Sequence, residues 1–182
     1  MPEKSRSDTM SQERRFKLVV LGTTGVGKTC LTLRFVKGLY ETESLPTIGA
    51  AYMTKKIVGD HTDFVYEIWD TAGQERYQAI TPLYYRSAEA AVIVFDLTDT
   101  DSFEKAQHWL KRLRKERPDP SMPIALAANK SDATSERAVT AEAAREFADS
   151  VGLQCVIAPD LRQNAARCSD SHRKRRCLSR NP

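Results

Sequence analysis

A lysine and a threonine at the end of a glycine-spaced run, and an Asn-Lys-Ser-Asp string much further on, are the chemical landmarks of this 182-residue chain. The first segment, Gly22-Thr23-Thr24-Gly25-Val26-Gly27-Lys28-Thr29, fits the phosphate-binding pattern G-x-x-x-x-G-K-[ST]. Its glycines let the backbone bend and bring N–H groups against phosphate oxygens. Lys28 can reach the β- and γ-phosphates of a nucleotide, and the Thr29 hydroxyl can ligate Mg²⁺. Gly22, Thr24, Gly25, Val26, Gly27, Lys28, Thr29 and Cys30 are therefore the candidate nucleotide-binding positions in this loop. The second segment, Asn129-Lys130-Ser131-Asp132, suits a base. Guanine presents N1–H and N2–H₂ as donors, and an ionised Asp132 accepts both. Adenine has an acceptor at N1 and no 2-amino group, so it would leave Asp132 unpaired at a cost. The Lys130 stem can lie along the base plane.

Trp69-Asp70-Thr71-Ala72-Gly73-Gln74-Glu75 adds a third group. An Asp ending a strand can hold a Mg²⁺-bound water, Gly73 can offer its N–H to a γ-phosphate, and Gln74 can orient an attacking water. Taken singly, an Asp at a strand end is usually a turn former and N-K-x-D is a common polar loop. Specificity comes from finding all three strings in this order.

Positioning these groups requires strands that end beside them. Phe16–Leu21 is a short apolar run that reads as a buried strand ahead of the glycine loop, and Thr29–Lys37 reads as a helix after it. Ala50–Val58 and Asp63–Asp70 read as strands joined through the turn-forming Gly59-Asp60-His61-Thr62. Ala90–Asp96 is a strongly apolar strand, and Ser102–Arg117 is a helix with Phe103, Ala106, Trp109, Leu110 and Leu113 on one face. Pro118 and Pro120 end that helix. Pro123–Ala128 is another buried strand, Thr140–Ser150 is a helix with Thr140 as N-cap and Ala143 at N3, and Leu153–Ile157 starts a last strand. Strands alternating with helices imply an α/β fold with a mostly parallel sheet covered on both faces.

Composition narrows the class. With 41% hydrophobic and 29% charged residues the chain suits one ordinary soluble domain. The net charge of +4 is uneven: Ile157–Pro182 carries +5, so the rest is near −1 and is not built for nucleic acid. Cys30, Cys155, Cys168 and Cys177 show no C-x-x-C spacing, which speaks against a zinc site or redox pair. No apolar run is long enough to span a membrane, and a cytosolic protein is expected. Three parts are expected: a flexible extension over 1–15, a nucleotide-binding domain over 16–157, and a basic, disordered tail over 158–182.

Together these strings resemble those of small GTPases, and of the Rab family in particular. Pro46-Thr47-Ile48-Gly49-Ala50-Ala51-Tyr52, the run from Tyr66 through Trp69 to Tyr77, and Tyr84-Tyr85-Arg86 are Rab-like, and the Ile-Gly-Ala-Ala-aromatic segment is similar to the early-endosomal branch. The resemblance covers Phe16 to Val156. It implies a P-loop NTPase three-layer sandwich whose mostly parallel sheet has one antiparallel hairpin strand. It implies GTP or GDP with Mg²⁺ as ligands, slow GTP hydrolysis, and a switch in vesicle traffic. It implies that Thr47 binds Mg²⁺ and senses the γ-phosphate, that Tyr40 stacks on guanine, and that Tyr52, Trp69 and Tyr84 form the aromatic triad contacted by effectors. The expected catalytic set is Gln74, Lys28 and Thr47, and the expected metal ligands are Thr29, Thr47 and Asp70. Exchange factors and GTPase-activating proteins are further expected partners of a monomer. Thr24 stands where Rabs often carry Ser, and its β-branch is expected to crowd Gln74 and slow turnover.

The chain departs from the family after Val156. No Ser-Ala-Lys loop follows the last strand, where Cys155-Val156-Ile157-Ala158-Pro159-Asp160 stands instead, and one lost hydrogen bond to guanine costs about 1 kcal/mol. Arg162–Ser179 shows no helical apolar stripe, so the family's final helix is expected to be missing. Four or five unburied apolar side chains would amount to about 6–15 kcal/mol as an upper bound. Cys177 is too far from the end for a C-a-a-X signal, so membrane attachment is expected only by other means. The alternative expectation is a truncated or mis-spliced variant, poor in nucleotide, that acts only as an interaction module or is non-functional.

Overall fold

The structure, a computed structural model, describes residues 12–38, 46–60, 62–74, 77 and 80–158. The expected roles of Tyr40, of the basic tail beyond Ala158, and of Cys168 and Cys177 lie outside the described residues.

Six strands form one sheet in the order β2-β3-β1-β4-β5-β6. They are β1 (Gln12–Leu21), β2 (Ala50–Ile57), β3 (Thr62–Thr71), β4 (Ala90–Asp96), β5 (Ile124–Asn129) and β6 (Gln154–Ile157). Every neighbouring pair is parallel except β2 with β3, which is the antiparallel hairpin expected from the turn residues between them. The helices are α1 (Lys28–Lys37), α2 (Thr81–Tyr85), α3 (Thr100–Glu116) and α4 (Ala141–Ser150). This is the α/β sandwich expected of a P-loop GTPase.

The period of two along each central strand divides its apolar residues between two helix layers. Val19, Leu21, Ile93, Phe95 and Leu126 face α3 and α4, meeting Ala106, Leu110, Leu113, Ala144 and Ala148 in the larger core. Val20, Ile68, Val94 and Ala127 face the other way, toward Leu31 and Val36 of α1. Among the described residues α1 is the helix that covers this second face, and Leu18 and Val92 are only partly buried there. Val156 of β6 is 53% exposed.

Both ends of the domain differ from the expectation. Gln12–Arg15, assigned by composition to a flexible extension, belong to β1 and continue its parallel ladder against Thr62–Val65. Their side chains are polar and give no apolar signal. What orders them is backbone pairing, aided by Arg15 bridging Glu13 at 2.9 Å and Glu67 at 3.0 Å. At the other end Ala158, placed by composition in the tail, donates its N–H to the Ala128 carbonyl at 2.8 Å and so belongs to the domain.

Helix ends follow local chemistry. Thr140 caps α4 by accepting from the Ala143 N–H at 3.1 Å, as the sequence predicts. Asp99 caps α3 by accepting from Asp101 N–H at 3.0 Å, so that helix starts at Thr100 rather than Ser102.

Candidate functional site

The carboxyl ends of β1, β3, β4 and β5 converge on one edge of the sheet, and those of β1, β3 and β5 each deliver one of the predicted strings. β1 runs directly into the glycine loop, which opens α1. Gly27 is the N-cap of α1 in left-handed backbone, φ 92°, and a Cβ there would collide with the Asn129 side-chain amide. Glycine is thus required both by conformation and by space. Asn129, at the end of β5, donates from Nδ2 to the Val26 carbonyl at 2.8 Å. The base-reading string and the phosphate loop are therefore fastened to each other within the protein.

A cleft of about 220 Å³ opens over this loop. It is lined by Thr24, Gly25, Gly27, Lys28, Thr29 and Cys30 of the loop and helix, by Pro46 and Thr47, and by Gly73 and Gln74. Three segments distant in sequence thus meet at one cavity. Lys28 is only 6% exposed, and its Nζ donates to the Thr23 carbonyl at 2.7 Å. Burial pushes its amine down to about 8, against an opposing pull from Asp70. A buried cation of this kind suits a phosphate, which would supply the missing anionic partner. The Gly73 backbone lies so close to Thr23 and Thr24 that a Cβ would collide with them.

Thr29 Oγ1 donates to Asp70 Oδ2 at 2.6 Å and lies 3.0 Å from Thr47 Oγ1. Asp70 is fully buried, and its other oxygen, Oδ1, is buried with no hydrogen-bond partner. Burial raises its carboxyl above the usual range, more than Thr29 and Lys28 lower it. Two hydroxyls and one carboxylate, one of whose oxygens is orphaned, fit a hard, oxygen-seeking cation such as Mg²⁺. Among the described residues no cluster of three His, Cys, Asp or Glu offers a competing metal site. A set with a single carboxylate suits Mg²⁺, which keeps water and phosphate oxygens as its other ligands.

The structure also brings in a residue that sequence reasoning missed. Asp96, at the end of β4, binds Lys130 Nζ through Oδ2 at 2.5 Å. Its Oδ1 accepts from Thr98 N–H at 2.9 Å and from the Thr98 hydroxyl at 2.7 Å. Burial alone would raise the Asp96 carboxyl, but the Lys130 and Thr98 bonds outweigh it and hold the group below its usual range. Lys130 is the one described non-glycine residue with positive φ, at 59°. Asp96 and the Arg137 guanidinium, which donates to the Ser131 carbonyl, hold the loop in that shape. The signal was an Asp closing the most apolar strand, a position that recurs at Asp70. The same loop is tied to the last strand, since Ser131 N–H donates to the Ala158 carbonyl at 3.2 Å. Asp132 is half-buried in the loop.

The aromatic residues form a row. Tyr52 and Trp69 ring centroids lie 5.2 Å apart and those of Trp69 and Tyr84 5.4 Å apart. Tyr52 is 49% exposed, while Trp69 and Tyr84 pack against the larger core. Packing and surface presentation are thus both satisfied by one row. A larger cavity, about 810 Å³, lies at the amino ends of β4, β5 and β6, the opposite edge of the sheet, away from all these groups.

Compared with known protein families, residues 17–161 match the Ras family. That span holds β1 from Lys17 onward and every segment of the cleft.

Proposed function

The chain belongs to the Ras family of small GTPase switches, and we propose that within it the protein is a Rab-like switch acting in vesicle traffic. The observation that carries the nucleotide reading is the meeting of Lys28, Thr29, Thr47, Asp70, Gly73 and Gln74 at one cleft. The Rab reading rests on the Tyr52–Trp69–Tyr84 row beside that cleft, which suits the apolar centre of an effector interface. In this reading effectors, exchange factors and GTPase-activating proteins approach over that row and the Thr47 and Gly73 segments. The protein works from the cytosol, reaching the cytoplasmic face of endosomal membranes when anchored by other means.

The residues divide the work. Loop N–H groups and the Lys28 ammonium hold the β- and γ-phosphates, and the α1 N-terminus adds its favourable dipole. Thr29, Thr47 and Asp70 would hold Mg²⁺, which when bound offsets charge on the phosphate oxygens. Gln74 orients water for in-line attack on the γ-phosphorus, and the Gly73 N–H donates to a γ-phosphate oxygen. Loss of the γ-phosphate removes the group that Thr47 and Gly73 jointly engage, and both segments relax. Asp132 accepts from guanine, and Asn129 transmits base engagement to the phosphate loop through Val26.

The test is binding of GDP with Mg²⁺ by the full 182-residue chain, with ATP as competitor and Asp132→Asn as control. Tight binding unaffected by ATP and weakened about 100-fold in Asp132→Asn is expected, since the amide keeps one acceptor oxygen but loses the charge and turns an NH₂ donor toward a guanine donor. Absence of nucleotide binding by the unsubstituted chain would leave only the alternative of an interaction module or a non-functional chain.

A further inference from the structure

Thr47 and Gly73 stand on segments of their own, yet one backbone hydrogen bond joins those segments. The Ala72 N–H donates to the Gly49 carbonyl at 2.8 Å. This is the last rung of the β2–β3 ladder, one step beyond the Ala50–Thr71 pair. Two residues before that rung, Thr47 Oγ1 already lies 3.0 Å from Thr29 Oγ1. One residue after it on the other strand, Gly73 lies against Thr23 and Thr24. The chain must therefore swing from the cleft into the ladder across Ile48 and Gly49. Ile48 is 79% exposed, so packing of its side chain does not enforce the swing. The turn is made at Gly49, whose φ is 69°. Space does not demand glycine there, because a Cβ would meet only the Tyr84 hydroxyl, in ordinary contact at 3.7 Å. The demand is conformational: left-handed backbone costs an L-residue with a Cβ what it does not cost glycine.

We propose that Gly49 is a positioning residue that couples the Thr47 segment to the Gly73 segment and so sets the preference for a nucleoside triphosphate over a diphosphate. The inference rests on the guanine-nucleotide reading of the same cleft. A γ-phosphate engages Thr47 and Gly73 at once, and that closed arrangement requires left-handed backbone at Gly49 with its carbonyl on Ala72. A diphosphate engages neither, so the segment is free to leave that conformation. A side chain at position 49 is then strained in one state only, and the two-state balance shifts by that strain.

The experiment measures the affinity of the full chain for GDP and for a non-hydrolysable GTP analogue, each with Mg²⁺. The variants are Gly49→Ala, Gly49→Asn and Gly38→Ala. Gly38 is the matched control: it ends α1 at φ 70° with nothing within 4 Å of a Cβ. Gly49→Ala is expected to weaken the analogue about tenfold with GDP affinity unchanged. Gly49→Asn tolerates left-handed backbone better and is expected to lose about threefold for the analogue alone. Gly38→Ala is expected to lower thermal stability and leave the ratio of the two affinities intact. Equal weakening of both nucleotides by Gly49→Ala, or a ratio that moves as much in Gly38→Ala, overturns the proposal. Should Gly49→Ala not fold, Gly49→Asn decides alone, and an unchanged ratio in it is equally fatal. An unsubstituted chain that binds neither nucleotide overturns the guanine reading as well. A chain that binds both, with unmoved ratios in the Gly49 variants, overturns this inference only.

Discussion

Lys28 shows how far single residues were legible and what their surroundings add. Its place in the glycine pattern predicted a phosphate ligand, but only the fold buries it to 6% exposure and lowers its amine to about 8. That lowering has a consequence for binding. A phosphate beside the amine favours the charged form, so the bound state holds a proton that the free state loses above about pH 8. Affinity is therefore expected to fall as pH rises through that value, by about fourfold between about pH 7 and 8.5. Titration calorimetry with GDP in buffers of different ionisation enthalpy checks this, since proton uptake should appear in that window. In Lys28→Met affinity should be much weaker and flat over the same range. Asp96 is the opposite case. Its place at the end of an apolar strand was the only local mark, because its role depends on Lys130, thirty-four positions away in sequence and 2.5 Å away in space.

Elements were legible where a period or a cap speaks locally. β4 was readable to the residue because Ala90–Phe95 is one apolar run between Glu89 and Asp96. α4 was readable because Thr140 stands at its start and small and apolar residues recur at helical spacing behind it. Replacing Thr140 by Ala leaves the Ala143 N–H without its cap, and Asp99→Ala does the same to Asp101 at α3. Each is expected to cost about 1 kcal/mol, nearly additive in the double variant because the caps share no partner. Urea denaturation of the GDP-loaded protein measures both, and an unchanged midpoint in either would refute the capping assignment. α2 escaped notice because Thr81–Tyr85 is too short to show a period, though Pro82 in its first turn was a clue. The first four residues of β1 escaped because their order comes from β3, fifty residues further on.

For the molecule as a whole, the sheet sets the question that composition raised. Its larger core is closed by α3 and α4, whereas on the second face α1 is the covering helix among the described residues. Val156 on that face is 53% exposed. Val156→Lys is therefore expected to change stability by no more than about 0.5 kcal/mol while reducing self-association. Thermal unfolding and light scattering of the full chain check this. A loss of several degrees in the midpoint would mean that residues beyond Ala158 bury Val156. By itself the sequence determined the alternation of strands and helices, the hairpin, and the phosphate and base strings, because each is written in contiguous residues whose chemistry is local. Only the tertiary structure decided that Asn129 fastens the base loop to Val26, that Asp96 holds Lys130, and that the Gly49 carbonyl accepts from the Ala72 N–H. Those links join positions far apart along the chain. Their geometry exists only once the parallel strands have brought their carboxyl ends to one edge.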